Sequence, residues 1–322
     1  MNGTIAWLAA LVTLQLAGPA WAADPVAYIT EIQRKGGGEV RVKAAGESDW
    51  KKPQPLLALK PGDQLEARGD ARVVVLFHAG GGTKTVTAAN SPFTVAAPAG
   101  AAGGGDQLKT VTASVSQFLL GKQDSPQYRR LSTRGLTPAP LIVAPRHTRV
   151  LPEGLTFEWE GGDRLRYTLR VIGPQGVVWE QTNVARQPVT YPATAPPLTP
   201  GVPYRWELEA PGHPVERTQF EILGEADLAR VRGALATLDR AEGYSPGTLI
   251  VMRAALLFQE GLYSEARRQI EAAVAAQPDE PNLRLLQGHV YQRTGLNGKA
   301  AEEREAPDRQ HDLAVLVPHL HQ

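Results

Sequence analysis

Three groups of polar residues are of the types that chemistry uses, and none has the spacing that chemistry needs. Gly80-Gly81-Gly82-Thr83-Lys84-Thr85 offers the glycines and the lysine of a phosphate loop. It lacks the Gly-Lys-Ser/Thr ending and the helix that must follow, so it reads as a turn between strands. His311, His319 and His321 are the three histidines nearest one another, and His319-x-His321 would set two imidazoles on one side of an extended tail. With no cysteine and no framework around them, they do not make a zinc site. Glu158 and Glu160 alternate with Phe157 and Trp159 on one strand, so the two carboxylates are expected on its solvated face. A catalytic pair usually comes from different elements across a cleft. A Gly-x-Ser-x-Gly elbow and a His-Glu-x-x-His pair are both missing from the sequence. The expectation is a protein that is not an enzyme and uses no cofactor or metal.

The totals agree with a binding role. The 322 residues are 42% hydrophobic and 21% charged, enough for two or three cores. Lys and Arg number 34 against 33 Asp and Glu, with no run of one sign, so no field favours nucleic acid or an acidic membrane face. Cysteine is absent, which removes disulfides, thiolate metal sites and a lipidated cysteine together. Ile5 to Gly18 is an apolar segment of signal-peptide length, and Ala20-Trp21-Ala22 has small residues at both cleavage-site positions. Residues 1–22 are therefore expected to be a signal peptide, and the remainder to work in the periplasm, with full secretion as the alternative. No later stretch is long and apolar enough to span a membrane.

The elements that would position a site follow from periodicity. Between residues 24 and 96, Glu39 to Lys43 and Thr83 to Thr87 alternate polar and apolar, and Arg72 to Phe77 is a buried-strand run. Gly36-Gly37-Gly38, Pro61-Gly62-Asp63 and Gly80-Gly81-Gly82 punctuate them. With Trp50, the stretch Leu59-Lys60-Pro61-Gly62-Asp63-Gln64-Leu65 and the small-residue turn Gly69-Asp70-Ala71, this unit resembles the FecR-like domain. That resemblance implies a sensing or binding module outside the cytoplasm. The cytoplasmic anti-sigma segment and membrane helix that precede this domain in iron-uptake regulators have no counterpart here. Gly62 and Asp63 are expected to shape a turn.

Residues 97–140 open with an Ala/Gly/Pro linker. A short amphipathic helix follows, with Leu108, Val111, Val115, Phe118 and Leu119 on one face and Gly121 at its end. That face is expected to pack on one of the flanking β units. From 141 to 223 six strands are expected, separated by turns at Gly161-Gly162-Asp163, Gly173-Pro174 and Pro200-Gly201. Leu198-Thr199-Pro200-Gly201-Val202-Pro203-Tyr204-Arg205-Trp206 resembles fibronectin type III and related immunoglobulin-like folds. Phe157, Trp159, Tyr204 and Trp206 are expected in the core, and Trp179 is the candidate exposed aromatic.

Residues 226–306 carry the one repeating pattern. Gly261-Leu262-Tyr263-Ser264-Glu265-Ala266 and Gly295-Leu296-Asn297-Gly298-Lys299-Ala300 lie 34 residues apart, as do Ala254 and Gly288. Small residues let two helices cross closely, and each shared glycine ends a helix. Ala254, Leu257, Gly261, Tyr263, Ala266, Ile270, Ala273 and Pro278 in one copy, and Gly288, Tyr291, Gly295 and Ala300 in the next, resemble the tetratricopeptide repeat. The helix of Ala226 to Glu242 would cover one end of the stack. The tail, 307–322, begins with a helix-ending Pro307 and could fold back as a cap. The resemblance implies a concave partner-binding face made by the first helix of each pair, with Phe258, Gln259, Asn282, His289, Gln292 and Arg293 projecting from it. Val251 and Ala255 stand where a carboxylate clamp has Lys and Asn, which argues against a C-terminal carboxylate ligand.

The chain is thus expected to be multidomain, with two small all-β units and then an all-α repeat stack. Its expected role is an exported scaffold that binds a protein or peptide partner through the repeats, while the β units recognise an envelope component. The alternatives are a module binding cell-envelope glycan on Trp179 or Trp50, and a FecR-type extracytoplasmic signalling protein.

Overall fold

The computed structural model describes residues 24–34, 36–77, 82–96, 111, 115, 118, 139–185 and 187–303. The expected signal peptide, most of the linker, the three clustered histidines and the C-terminal tail lie outside these residues. A β-rich region spans 27–222 and a stack of five helices follows it.

The first β unit contains β1 (Ala27–Gln33), β2 (Glu39–Lys43), β3 (Ala58–Leu59), β4 (Gln64–Arg68), β5 (Arg72–Phe77), β6 (Thr83–Thr87) and β7 (Phe93–Thr94). They form two antiparallel sheets, ordered β3-β1-β5-β6 and β2-β4-β7. Ile29, Leu59, Leu65, Val73, Val75 and Val86 share one core. The Pro-Gly-Asp turn is structural: Asp63 is buried, and its carboxylate accepts from the Ala45 and Lys60 backbone N–H groups at 2.9 and 2.8 Å. Gly62 has a φ of +91°, which a side chain would resist.

Strand β1 has six buried residues of seven, so both of its faces are covered. Ala27 and Ile29 join the core of the β unit, while Tyr28 joins the cluster formed by the helices. A register shift between Ile29 and Glu31 breaks the alternation, so that Thr30 and Glu31 both reach the helical stack. One extra residue in a strand is the usual device for aiming two neighbours to one side.

The second unit contains β8 (Leu141–Ala144), β9 (Thr148–Val150), β10 (Thr156–Glu160), β11 (Tyr167–Gly173), β12 (Gly176–Val184), β13 (Val189–Thr190), β14 (Pro203–Glu209) and β15 (Glu216–Ile222). Its sheets are ordered β13-β10-β8 and β12-β11-β14-β15-β9. The chain changes sheet between β8, antiparallel to β10, and β9, parallel to β15. Phe157, Trp159, Tyr204 and Trp206 are all core residues. Trp206 satisfies its indole N–H on the Pro145 carbonyl at 2.7 Å. Trp179, the candidate exposed aromatic, is half-buried, stacked on Phe157 at 5.7 Å with Tyr191 at its edge.

The helices are α1 (Glu225–Asp239), α2 (Pro246–Gln259), α3 (Tyr263–Ala276), α4 (Pro281–Arg293) and α5 (297–303). Pro246 and Pro281 start α2 and α4, where a missing N–H costs nothing. The two inter-helix turns are the same structure. Gly261 N–H and Leu262 N–H donate to the Phe258 and Leu257 carbonyls, and Gly295 and Leu296 do the same to Gln292 and Tyr291. Both glycines have positive φ, +73° and +76°. Val231 and Leu238 of α1 are buried in the helical cluster, so α1 covers one end of the stack.

Candidate functional site

The first helices of the two hairpins, α2 and α4, carry the candidate residues Phe258, Gln259, Asn282, His289, Gln292 and Arg293. Val111, Val115 and Phe118 are helical and 1%, 0% and 3% exposed, and they belong to the cluster made by the stack. Phe118 lies 4.4 Å from the Phe258 ring of α2 and 5.8 Å, edge-on, from His289 of α4. Phe258 in turn tilts on Tyr263 at 4.9 Å. Arg293 donates from Nε to the Tyr263 hydroxyl at 2.9 Å, with its guanidinium 5.2 Å from the centre of that ring. The apolar face predicted for this segment therefore packs on the helices, with Tyr28, Leu56 and Leu76 as the contribution from the first β unit. The expected contribution of a β unit is present, and the helices join it, with Phe118 meeting one ring from α2 and one from α4.

The six candidate residues divide. Phe258 and His289 meet at Phe118, while Gln259 is exposed at the end of α2. Gln292 and Arg293 are half-buried. Asn282 is fully buried and serves the fold: its amide oxygen accepts from the Leu56 N–H at 2.6 Å, and its Nδ2 donates to Glu280 at 2.7 Å. The 34-residue step takes Thr248 to Asn282, and both residues bind the first β unit. Thr248 shares a hydrogen bond of 2.8 Å with Thr30.

The β units also supply what the helix ends lack. The Glu31 carboxylate accepts from the Thr248 N–H at 3.0 Å and from the Ser245 hydroxyl, which puts a negative charge at the start of α2. Glu280, which precedes α4, accepts the Ile32 N–H through both oxygens at 3.2 and 3.1 Å, on the stretch of β1 that β3 leaves unpaired. Gly247 is required here, since a Cβ would stand 2.5 Å from the Glu31 carboxyl. Helix α3 has no cap from its own sequence, and Thr148 of β9 provides one, its Oγ1 accepting from the Tyr263 N–H at 2.9 Å.

The second β unit grips the matching turns of both hairpins. Arg149 N–H donates to the Gly261 carbonyl at 2.8 Å, and Arg146 Nε to the Thr294 carbonyl at 2.8 Å. Of the pair expected on a solvated face, Glu160 is exposed, with an ion pair to Lys299. Glu158 departs from the expectation: it is half-buried and pairs with Arg267 and Arg268 of the helical stack. None of these contacts joins residues close in sequence, so no local signal announced Thr30, Glu31, Thr148 or Glu280.

Burial pushes Glu280 up to about 7, against its hydrogen bonds to Ile32 and Asn282 and with the help of Glu31. Burial, with the charges of Arg146 and Arg293, pushes His147 down to about 4, so it is neutral at pH 7. These two groups hold helix and turn contacts and do not face a common cleft. Among the described residues no cluster of three His, Asp or Glu could hold a metal ion, and no helix is long and apolar enough to cross a membrane. Of the two aromatic rings considered for a glycan, Trp179 is packed as above. Trp50 has the Arg41 guanidinium 5.6 Å and the Lys43 ammonium 5.2 Å from its ring centre. The chain matches no protein-family model, and none of the curated proteins compared with it is similar.

Proposed function

We propose that the chain is an exported, non-enzymatic scaffold whose helical stack binds a helical segment of a protein partner in the groove between α2 and α4. The fold-level reading behind this is a FecR-like unit and an immunoglobulin-like sandwich holding a two-repeat tetratricopeptide-like stack. The observation that carries it is the set of Val111, Val115 and Phe118 seated in that groove, with one aromatic ring between Phe258 and His289. An apolar helical face with anchors at i, i+4 and i+7 is what helix-in-groove recognition uses. The repeated glycine turns support the repeat reading, and the apolar stretch before Ala20-Trp21-Ala22 supports export.

The rim of the groove gives a direct test. A photo-crosslinking benzoylphenylalanine in place of Gln259, which is exposed at the end of α2, is expected to capture a discrete protein from envelope extract. The same probe in place of Val177, 59% exposed on β12, is expected to capture none. An identical adduct from both positions, or none from position 259, would exclude the groove as the binding surface. Removing the helices altogether is a poorer test, because it uncovers Tyr28, Leu56 and Leu76.

A further inference from the structure

We propose that Glu31 and Glu280 work as a proton-held latch: with a proton on Glu280 the first β unit is closed on the helical stack, and release of that proton parts β1 and the Leu56 turn from the starts of α2 and α4. The proposal is independent of the groove reading and concerns the joint between the two parts of the chain.

The joint is built crosswise. Glu31 of β1 caps α2, accepting from the Thr248 N–H at 3.0 Å and from the Ser245 hydroxyl, while Glu280, ahead of α4, caps β1 at the Ile32 N–H. The two residues are 3% and 5% exposed. Their partners among the described residues are N–H groups and a hydroxyl of neutral residues, Gln33 included. Glu280 Oε1 accepts from the Ile32 N–H, the Asn282 N–H and Asn282 Nδ2, whereas Oε2 shares only the Ile32 N–H, so Oε2 is the atom with room for a proton.

The charges around the pair do not neutralise it. Arg284 of α4 donates to the Pro278 carbonyl and pairs with Glu303, Arg72 of β5 donates to Gln33, and Arg34 and Asp279 are exposed. The start of α2 brings the hydroxyls of Ser245 and Thr248, and the turn at Leu56 brings a backbone N–H. Two buried acids without a cation cannot both ionise cheaply while the joint is closed.

Strain gives the latch something to release. Leu56 has a φ of +54°, which a branched side chain resists, and it is 6% exposed within the cluster of the stack. Its N–H is held by the Asn282 amide oxygen at 2.6 Å, and Asn282 is held by Glu280 through Nδ2 at 2.7 Å. Proton, amide and strained turn are one chain of contacts, so losing the first loosens the last. Burial, with Glu31 adding to it, pushes Glu280 from 4.5 up to about 7 in the closed joint. An open joint returns it to water and to its ordinary value, so opening releases a proton between those two points and is favoured as pH rises.

Hydrogen exchange at single amides of the full chain tests this, because Ile32 and Leu56 each donate to a side chain at the start of α4. Divided by the rate of an unprotected amide, exchange at both is expected to rise about tenfold per pH unit from 4.5 to 7 and to level off above. Glu280→Gln should flatten both profiles. Amides of β5, which stays paired to β1 when the joint opens, should remain at least about tenfold more protected at every pH. Flat profiles at Ile32 and Leu56 in the wild type, a result that needs no variant to fold, would overturn the proposal. So would exchange in β5 at the same corrected rate, which would make the event unfolding of the whole β unit.

Discussion

Between pH 4.5 and about 8 the fold should lose roughly 3 kcal/mol through one side chain, Glu280. Its carboxyl is 5% exposed, enclosed between α4 and β1, with Glu31 nearby. Burial raises it from the ordinary 4.5 to about 7. In the unfolded chain it ionises near the ordinary value, so between those two points the folded state holds a proton that the unfolded state has lost. The contribution is complete below pH 4.5 and disappears as pH rises through 7. This is opposite in sign to a surface carboxylate paired with arginine, such as Glu66 beside Arg41, which is held below its usual range. At roughly 1.4 kcal/mol for each pH unit, the interval between the two values integrates to the figure above. Denaturant midpoints of the full chain measured from pH 4.5 to 8 should fall accordingly. Glu280→Gln, which keeps an acceptor for the Ile32 N–H, should flatten the profile. The same slope in wild type and Glu280→Gln would mean that the interface between β1 and α4 is not closed over this carboxyl.

Arg267→Ala is expected to cost about 3 kcal/mol, at the lower end for breaking a buried ion pair. The Arg267 side chain is 8% exposed and lies between Glu158 of β10 and Glu271 of its own helix. Tyr291 donates to the same Glu271 at 2.8 Å, and Gln287 donates to Tyr291 at 3.1 Å, so the network joins α3, α4 and the second β unit. Removing the cation takes from Glu271 the arginine it pairs with and leaves Glu158 only the longer pair to Arg268 at 3.7 Å. The cost comes from that orphaned charge, and the comparison that shows it is Arg267→Met together with Glu158→Gln and Glu271→Gln. This neutral set should recover most of the loss in thermal or denaturant unfolding. A loss below about 1 kcal/mol for Arg267→Ala would place the pair among solvent-screened surface bridges.

Local pattern carried far into this fold and stopped where distant residues meet. Strands β2, β5 and β6 match at both ends the stretches read from the sequence: β2 and β6 alternate because one face lies on a core, and β5 is a continuous apolar run because both of its faces are covered. The glycine turns of the two hairpins followed from the 34-residue step, since only a residue tolerant of positive φ ends those helices cheaply. Strands β8 and β9 were not among the six read from the sequence, for Leu141-Ile142-Val143-Ala144 and Thr148-Arg149-Val150 are short and the chain changes sheet between them. Alternation placed Glu158 and Glu160 on a solvated face, which holds for the exposed Glu160, while Glu158 meets the helical stack, since the face opposite a core can meet another element as well as water.

The candidate site was half legible for the same reason. Phe258 and His289 were assigned to a partner-binding face by the resemblance to the repeat family, and the amphipathic row of Val111, Val115 and Phe118 was read from its spacing. Periodicity says that a face is apolar and does not say what covers it, so the union of the two was invisible. Asn282 shows the converse. Its position on the repeat suggested a ligand contact, while the backbone N–H of Leu56 is what it binds.

The central claim is that residue 118 occupies the groove of its own chain, and the absence of cysteine makes it directly measurable. Phe118→Cys and His289→Cys, at two rings 5.8 Å apart, give a chain with only two thiols. A short bismaleimide applied to dilute protein should link them within one molecule, seen as a compacted monomer on a denaturing gel and as one bridged peptide pair by mass spectrometry. Phe118→Cys paired with Val177→Cys should give no such link. Two freely reactive thiols at 118 and 289, or a link formed only between molecules, would contradict the account.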